Sequence, residues 1–173
     1  GYLRSFRDQR AYAGVMPAME RAVALDPRNA EAWHQYSSLL GNAGRFEESV
    51  AASQHALALE PQAISLYSLA GVLEVMRRDD EARRFVDSTL AVDPTFYAAY
   101  FSRSWWRLRH GDVPGARADA EAALRTSPGS DQHWAVVPLA AAAAREGDSA
   151  TARSLGMHRR TLQRKLAKRP VRA

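Results

Sequence analysis

The tetrapeptide Ala24-Leu25-Asp26-Pro27 returns in similar form as Ala58-Leu59-Glu60-Pro61, Ala91-Val92-Asp93-Pro94 and Arg125-Thr126-Ser127-Pro128. Its four prolines are therefore 34, 33 and 34 residues apart. A fixed period of this length indicates stacked units, because one such unit cannot bury its apolar face alone. The spacing by itself predicts a repeat architecture over most of the chain.

Each unit contains two apolar, periodic segments on either side of a short turn. The turns are Ala43-Gly44-Arg45, Arg77-Arg78-Asp79 and His110-Gly111-Asp112. We therefore predict helix, turn and helix in every unit, and an all-α chain. Small residues after the turns would let the paired helices approach closely; these are Ser49, Ala56, Ala82, Ala116 and Ala123.

The pattern resembles the tetratricopeptide repeat (TPR) family, whose repeats carry an early tryptophan, a small residue in the middle and a closing proline. Trp33 with Pro61, Ala82 with Pro94, and Ala116 with Pro128 carry the resemblance, which covers roughly residues 10–128. It implies a right-handed superhelix of helical hairpins. The expected boundaries are a truncated first repeat at 1–27, full repeats at 28–61, 62–94 and 95–128, and a last segment at 129–173.

Two places depart from the family pattern, the first being Tyr36 and Ser37, which stand where leucine and glycine are usual. Arg103 and Arg107 occupy consensus positions that lean inward, so we expect the third full repeat to be packed differently. In the truncated first repeat, we expect the second helix to start near Met16, with Pro17 in its first turn, where proline is tolerated. The open start of the chain, with Gly at position 1, indicates further repeats upstream.

Composition excludes several classes of protein. The 173 residues include no cysteine, and no apolar run reaches the roughly 18 residues that a membrane span requires. The five histidines are dispersed, and no phosphate-binding loop or catalytic elbow is present. We expect a cytoplasmic protein that is not an enzyme, with neither cofactor nor metal.

The resemblance also implies a concave groove lined by the first helix of each repeat. The family's groove positions correspond here to side chains that are aromatic or polar and carry little charge. They lack the lysine and asparagine set with which chaperone-binding members of the family hold a peptide carboxylate. We expect a protein or peptide partner in this groove, although Trp105 or Trp106 could instead fill the seam between repeats. The groove residues are His34, Ser38, Tyr67, Glu74, Phe101, Trp105 and Arg109.

The C-terminal segment has a different character. Residues 153–173 contain eight Arg or Lys and no acid, which accounts for the net charge of +5. Ala152, Gly156 and four apolar residues could lock two short helices around a turn, and the segment resembles the Fis-type helix-turn-helix of redox-responsive global response regulators. That resemblance implies duplex DNA binding, and a homodimer, through Arg159, Arg160, Thr161, Gln163, Arg164, Lys165, Lys168 and Arg169.

Other interpretations of the same segment stay open. The basic residues could belong to a solvated helix that caps the solenoid, since terminal repeats need a polar outer face. Binding to RNA or to an acidic protein is a third possibility. Residues from about 131 could also form a fourth repeat, because Gly147-Asp148 repeats Gly111-Asp112 at a distance of 36 residues. The predicted fold is therefore an all-α, TPR-like superhelix ending in either a basic helix-turn-helix or a capping helix.

Overall fold

A computed structural model describes residues 6–128, 132–148, 150 and 151 of the chain. The all-α prediction is confirmed for this part of the protein, which contains helices and no strand. The helices are α1 (Phe6–Leu25), α2 (Ala30–Ala43), α3 (Phe46–Leu59), α4 (Ala63–Val75), α5 (Asp79–Val92), α6 (Tyr97–Arg109), α7 (Val113–Thr126) and α8 (Gln132–Arg145).

The chain divides into two compact units, Gly1–Val92 and Asp93–Ala173. In the first unit, α2 packs along α3 and α4 packs along α5, while α1 lies against α2 and α3 against α4. In the second unit, α6 packs along α7, and α8 lies against both. In the described part of the chain, the first unit thus contains two hairpins and α1. The second contains one hairpin and α8.

The three hairpin turns share one backbone conformation. Gly44 and Gly111 have φ values of +83° and +81°, in the left-handed region that glycine enters at no steric cost. Arg77 occupies the equivalent place with φ of 65°. Each turn is closed by a hydrogen bond from the next amide to a carbonyl five residues earlier, namely Arg45 to Leu40, Arg78 to Leu73 and Asp112 to Arg107, at 2.9, 2.9 and 3.0 Å.

Side chains at the helix starts explain where several helices begin. The Asn29 side chain accepts a hydrogen bond from the Ala32 amide, and the Asp112 side chain accepts one from the Gly115 amide. These bonds satisfy amides that have no partner within the helix. The acidic run Asp79-Asp80-Glu81 opens α5, where negative charge complements the helix dipole.

The small residues predicted between paired helices are buried. Ser49, Ala82 and Ala116 lie after the three turns, and each is at most 1% exposed. Ala56 and Ala123 are equally buried further along α3 and α7. Close approach of the helices at these points leaves the larger apolar residues to fill the spaces between hairpins, among them Leu40, Leu69, Leu73 and Leu108.

The prediction for the start of the chain is wrong. Helix α1 does not begin near Met16 but runs without a break from Phe6, so Pro17 lies in its interior. Proline removes one helical hydrogen bond, which would ordinarily favour a helix start at that point. Pro17 is exposed, so its ring does not disturb the core. Met16 and Val23 fix the helix by burying their side chains.

Helix α8 also contains a proline, Pro138, which is fully buried. The small residues Ala140–Ala143 are at most 1% exposed and form one apolar cluster with Trp105, Leu108 and Ala116. The turn after α8 contains Gly147, with φ of +78°, just as the turn after α6 contains Gly111. No helix among the described residues has the length and apolar character to cross a membrane.

Candidate functional site

Helix α4 is apolar on all sides. Its sequence, AISLYSLAGVLEV, contains one charged residue, Glu74, and no strongly polar face. A helix of this kind is normally buried all round. Here one side is buried through Leu66, Leu69 and Leu73, while the other side stays exposed.

The exposed residues of α4 share one face. Ile64, Gly71 and Val75 are separated by seven and four residues, which places them on one stripe of an α-helix. Tyr67 and Glu74 border the same stripe. Ile64 and Val75 are 45% and 51% exposed. The first unit therefore presents to solvent a strip of α4 that carries two exposed aliphatic side chains.

Gly71 lies at the centre of this strip. A Cβ atom built on Gly71 would meet no atom within 4 Å, whereas one on Gly41 would lie 3.2 Å from the Ser49 hydroxyl and 3.3 Å from Val72. Packing thus explains the glycine in α2. It does not explain the glycine in α4, because no atom of the described residues lies within 4 Å of that position.

Helix α2 extends the strip on one side. The His34 ring nitrogen Nδ1 is 3.2 Å from the Ser65 hydroxyl, a hydrogen bond that connects α2 with α4. Ser38 follows His34 by one turn and is half-buried. Glu31 precedes His34 by one turn and is exposed. The α2–α4 face is defined here as Glu31, His34, Ser38, Ile64, Tyr67, Gly71, Glu74 and Val75.

The charge of the α2–α4 face is negative. Helices α2 and α4 together contain two carboxylates, Glu31 and Glu74, and no arginine or lysine. The Glu31 carboxylate accepts a hydrogen bond of 2.6 Å from the Gln35 side chain. Residues 14–92 as a whole contain eleven acidic and seven basic residues. A cation therefore meets a more favourable potential at this surface than an anion does.

The structure divides the predicted groove residues between the two units. His34, Ser38, Tyr67 and Glu74 all belong to the α2–α4 face of the first unit. Phe101, Trp105 and Arg109 belong to α6 of the second unit. Trp105 is 8% exposed, and its ring packs against Phe101 in an edge-to-face contact at 6.5 Å and 83°. This burial agrees with the alternative interpretation, in which Trp105 packs between repeats instead of lining a groove.

The inward arginines of α6 meet a carboxylate that sequence reasoning missed. Arg103 donates two hydrogen bonds to Asp119 on α7, Nε to Oδ2 at 2.9 Å and Nη2 to Oδ1 at 2.8 Å. Arg107 Nη1 lies 3.2 Å from the same carboxylate and also donates to the Gly115 carbonyl. The Asp119 side chain is only 5% exposed, so the cluster is part of the core of this repeat.

A shallow cavity of about 370 Å³ lies elsewhere in the first unit, between α2 and α3. Its lining includes Trp33, Tyr36 and His55. The ring centroids of Trp33 and His55 are 4.2 Å apart. The Trp33 indole N–H donates to the Pro27 carbonyl, which fixes the ring. Burial, followed by the nearby Glu20 carboxylate, raises the pKa of Tyr36. The cavity was not anticipated from the sequence.

Two further findings bear on the sequence predictions. Among the described residues, no three His, Cys, Asp or Glu side chains come together as metal ligands would. The residues predicted to contact DNA, from Arg159 to Arg169, lie outside the described part of the chain.

Comparison with known proteins supports the repeat interpretation. Residues 18–51 match the model of the tetratricopeptide repeat family. Protein FlbA of Caulobacter vibrioides is 32% identical over 118 residues, which are 67% of this chain and 20% of FlbA. The chain thus spans about a fifth of the length of that relative.

Solved structures resemble most of the chain rather than a single repeat. MamA superposes with a TM-score of 0.73 at 15% identity, covering 94% of this chain and 92% of MamA. YrrB, described as a TPR protein with an unusual peptide-binding site, gives 0.65 at 14% identity, covering 86% of this chain and 76% of YrrB. Yeast Tom70 gives 0.65 at 16% identity, covering 92% and 33%. At such identities the likeness establishes the fold, which is that of TPR structures.

Proposed function

We propose that this chain is a protein-interaction module that binds a protein or peptide partner through the α2–α4 face. The observation that carries the proposal is the exposed apolar strip of α4, formed by Ile64, Tyr67, Gly71 and Val75. Burying such a strip against a partner removes apolar surface from water at about 25 cal/mol per Å². An exposed apolar patch on an otherwise polar surface is typical of an interaction site.

Two further facts support this assignment. The fold is that of TPR structures, one of which, YrrB, is described as having a peptide-binding site. The side chain of His34 is held by Ser65, so the polar edge of the face is already ordered before a partner arrives. In the second unit, Phe101 and Arg109 have partly exposed side chains and are further candidate contacts. Trp105 would act through its packing on Phe101.

Two matched valines provide a test. Val75 lies on the α2–α4 face and Val15 lies on α1, and both are 51% exposed. Immobilised protein would capture partners from an extract of cells that produce it, with mass spectrometry to quantify the bound proteins. The variants are Val75→Gln and Val15→Gln, each of which replaces an exposed apolar side chain by a polar one with little effect on folding.

We expect the unsubstituted chain and Val15→Gln to capture the same proteins in similar amounts. The captured amount should be roughly tenfold lower with Val75→Gln. A tenfold loss corresponds to about 1.4 kcal/mol, a reasonable value for one apolar contact at an interface. Equal capture by all three proteins would exclude the α2–α4 face as the binding surface. The cytoplasmic location expected from the sequence stays a prediction in this proposal.

A second function, binding of duplex DNA by residues 147–169, is favoured by one sequence observation. Eight basic residues and no acid lie between residues 153 and 173, in a pattern that resembles a helix-turn-helix. If about six of these neutralise phosphates, affinity should fall roughly 10³-fold between 50 and 200 mM salt. The homodimer implied by the resemblance belongs to the same hypothesis.

A gel shift with random duplexes at these two salt concentrations tests this second function. The full chain is compared with a protein truncated after Thr151, which keeps every described helix. Binding by the full chain alone, with the expected salt dependence, supports it. Equal binding by both proteins, or binding by neither, would contradict DNA binding by the basic segment.

A further inference from the structure

We propose that the partner segment bound at the α2–α4 face presents an aliphatic side chain over Gly71 and carries basic residues on either side of it. This inference rests on the proposed function and adds the chemistry of the partner. Gly71, the two aliphatic side chains beside it and the charge of α2 and α4 support it separately.

Gly71 is the first support. Glycine in the interior of a helix is less favourable than alanine by roughly 0.5–1 kcal/mol, so it persists where space demands it. At Gly41 the space is taken by Ser49 and Val72, but at Gly71 no atom of the described residues fills it. The missing side chain therefore leaves room against the α4 backbone for an atom group of a partner.

The shape of the strip defines the group that fits. Tyr67 and Val75 lie one turn before and one turn after Gly71, so they bound an opening about 12 Å long along the helix. Ile64 continues the apolar surface by another turn on the Tyr67 side. One aliphatic side chain fits against the Gly71 backbone with Tyr67 and Val75 on its flanks. An aliphatic side chain at this point buries apolar surface against Tyr67 and Val75, which is favourable in water.

The surrounding charge defines the flanking residues. Helix α2 carries Glu31, helix α4 carries Glu74, and neither helix contains a basic residue. Acidic residues in a partner would face like charges, which is unfavourable at an interface. Basic residues on either side of the aliphatic side chain complement the face.

Three short synthetic peptides of equal length, each labelled with fluorescein, test this inference by fluorescence anisotropy with the full chain. The first combines leucine with lysine, the second leucine with glutamate, and the third serine with lysine. The protein variants are Gly71→Gln, which fills the opening, and Gly14→Gln, a matched control in α1. A Cβ at Gly14 also meets nothing within 4 Å. Only binding that Gly71→Gln weakens is attributed to the face, since residues 153–172 can attract the acidic peptide by themselves.

The expected result is binding of the leucine–lysine peptide that Gly71→Gln weakens at least tenfold and Gly14→Gln leaves unchanged. The other two peptides should show no component that depends on Gly71. Binding of the leucine–glutamate peptide that depends on Gly71 would overturn the charge assignment and leave the proposed function standing. Absence of any binding that depends on Gly71 would overturn the whole inference. The capture experiment with Val75→Gln then decides separately whether the proposed function also fails.

Discussion

Arg103 and Asp119 form a two-pronged ion pair across the α6–α7 hairpin, with N···O distances of 2.9 and 2.8 Å. The carboxylate is 5% exposed and the guanidinium 18% exposed, so both charges are largely removed from water. A pair of this kind stabilises the fold little relative to an apolar pair, but losing one partner is costly. The core of the second unit therefore depends on a charge balance as well as on apolar packing.

Replacing Asp119 by Asn should destabilise the second unit by about 3 kcal/mol, because Arg103 and Arg107 would lose their shared carboxylate. Urea unfolding monitored by tryptophan fluorescence measures the effect. Glu121→Gln is the control, since its exposed pair with Arg117 should contribute at most about 0.5 kcal/mol. Similar losses in the free energy of unfolding for the two variants would show that the buried ion pair contributes no more than the exposed one.

The Ser37 and Ser53 hydroxyls share a buried hydrogen bond of 2.6 Å between α2 and α3. Ser37→Ala or Ser53→Ala alone should cost about 1–2 kcal/mol, because the remaining hydroxyl stays buried without this partner. The double variant should cost clearly less than the sum of the two. Urea midpoints of the four proteins give the coupling free energy. Additive effects would contradict the assigned hydrogen bond.

Glycine-to-alanine changes should separate glycines required by the fold from the one at the α2–α4 face. Gly71→Ala should stabilise the chain by roughly 0.5–1 kcal/mol, since the helix gains a better residue in open space. Gly44→Ala should destabilise by about 1–2 kcal/mol, because alanine is strained at φ of +83°. Thermal unfolding measures both. A destabilising effect of Gly71→Ala would mean that the fold itself requires this glycine.

Two exposed ion pairs predict a response to acid. Hydrogen bonds from Arg45 and Arg78 lower the pKa of Glu48 and Glu81, respectively. A carboxyl whose pKa is lower in the folded state stabilises the fold above its unfolded pKa, and this stabilisation disappears as the pH falls through the folded pKa. The urea midpoint should therefore decrease from about pH 5 to about pH 3. A protein with both Glu48→Gln and Glu81→Gln should show a shallower decrease, and parallel curves would contradict the assignment.

The helical architecture was predictable because its signals are local. The prolines at 27, 61, 94 and 128 follow the ends of α1, α3, α5 and α7, and Gly44 and Gly111 close their hairpins through backbone geometry that needs no tertiary information. Pro17 misled the prediction, because proline favours a helix start but an exposed proline can also lie inside a helix that other residues hold in place.

The candidate site was predictable only in part. The resemblance to the TPR family placed Tyr67 and Glu74 on one face, but it gave no measure of exposure, so Ile64 and Val75 were overlooked. Trp105 was assigned to a groove, although its burial against α8 depends on Ala140–Ala143, about 35 residues away in the sequence. Asp119 was missed for the same reason, since only the paired helices bring it to Arg103 and Arg107. Contacts between residues on different helices could therefore not be predicted from this single sequence.

Site-specific photo-crosslinking in the cells that produce the protein tests the central claim most directly. A benzophenone side chain is introduced at Ile64, 45% exposed on the α2–α4 face, or at Leu25, 80% exposed at the end of α1. The account predicts a discrete protein adduct from position 64 that is absent from position 25 and that Gly71→Gln suppresses. Equal adducts from both positions, or an adduct from position 25 alone, would contradict it.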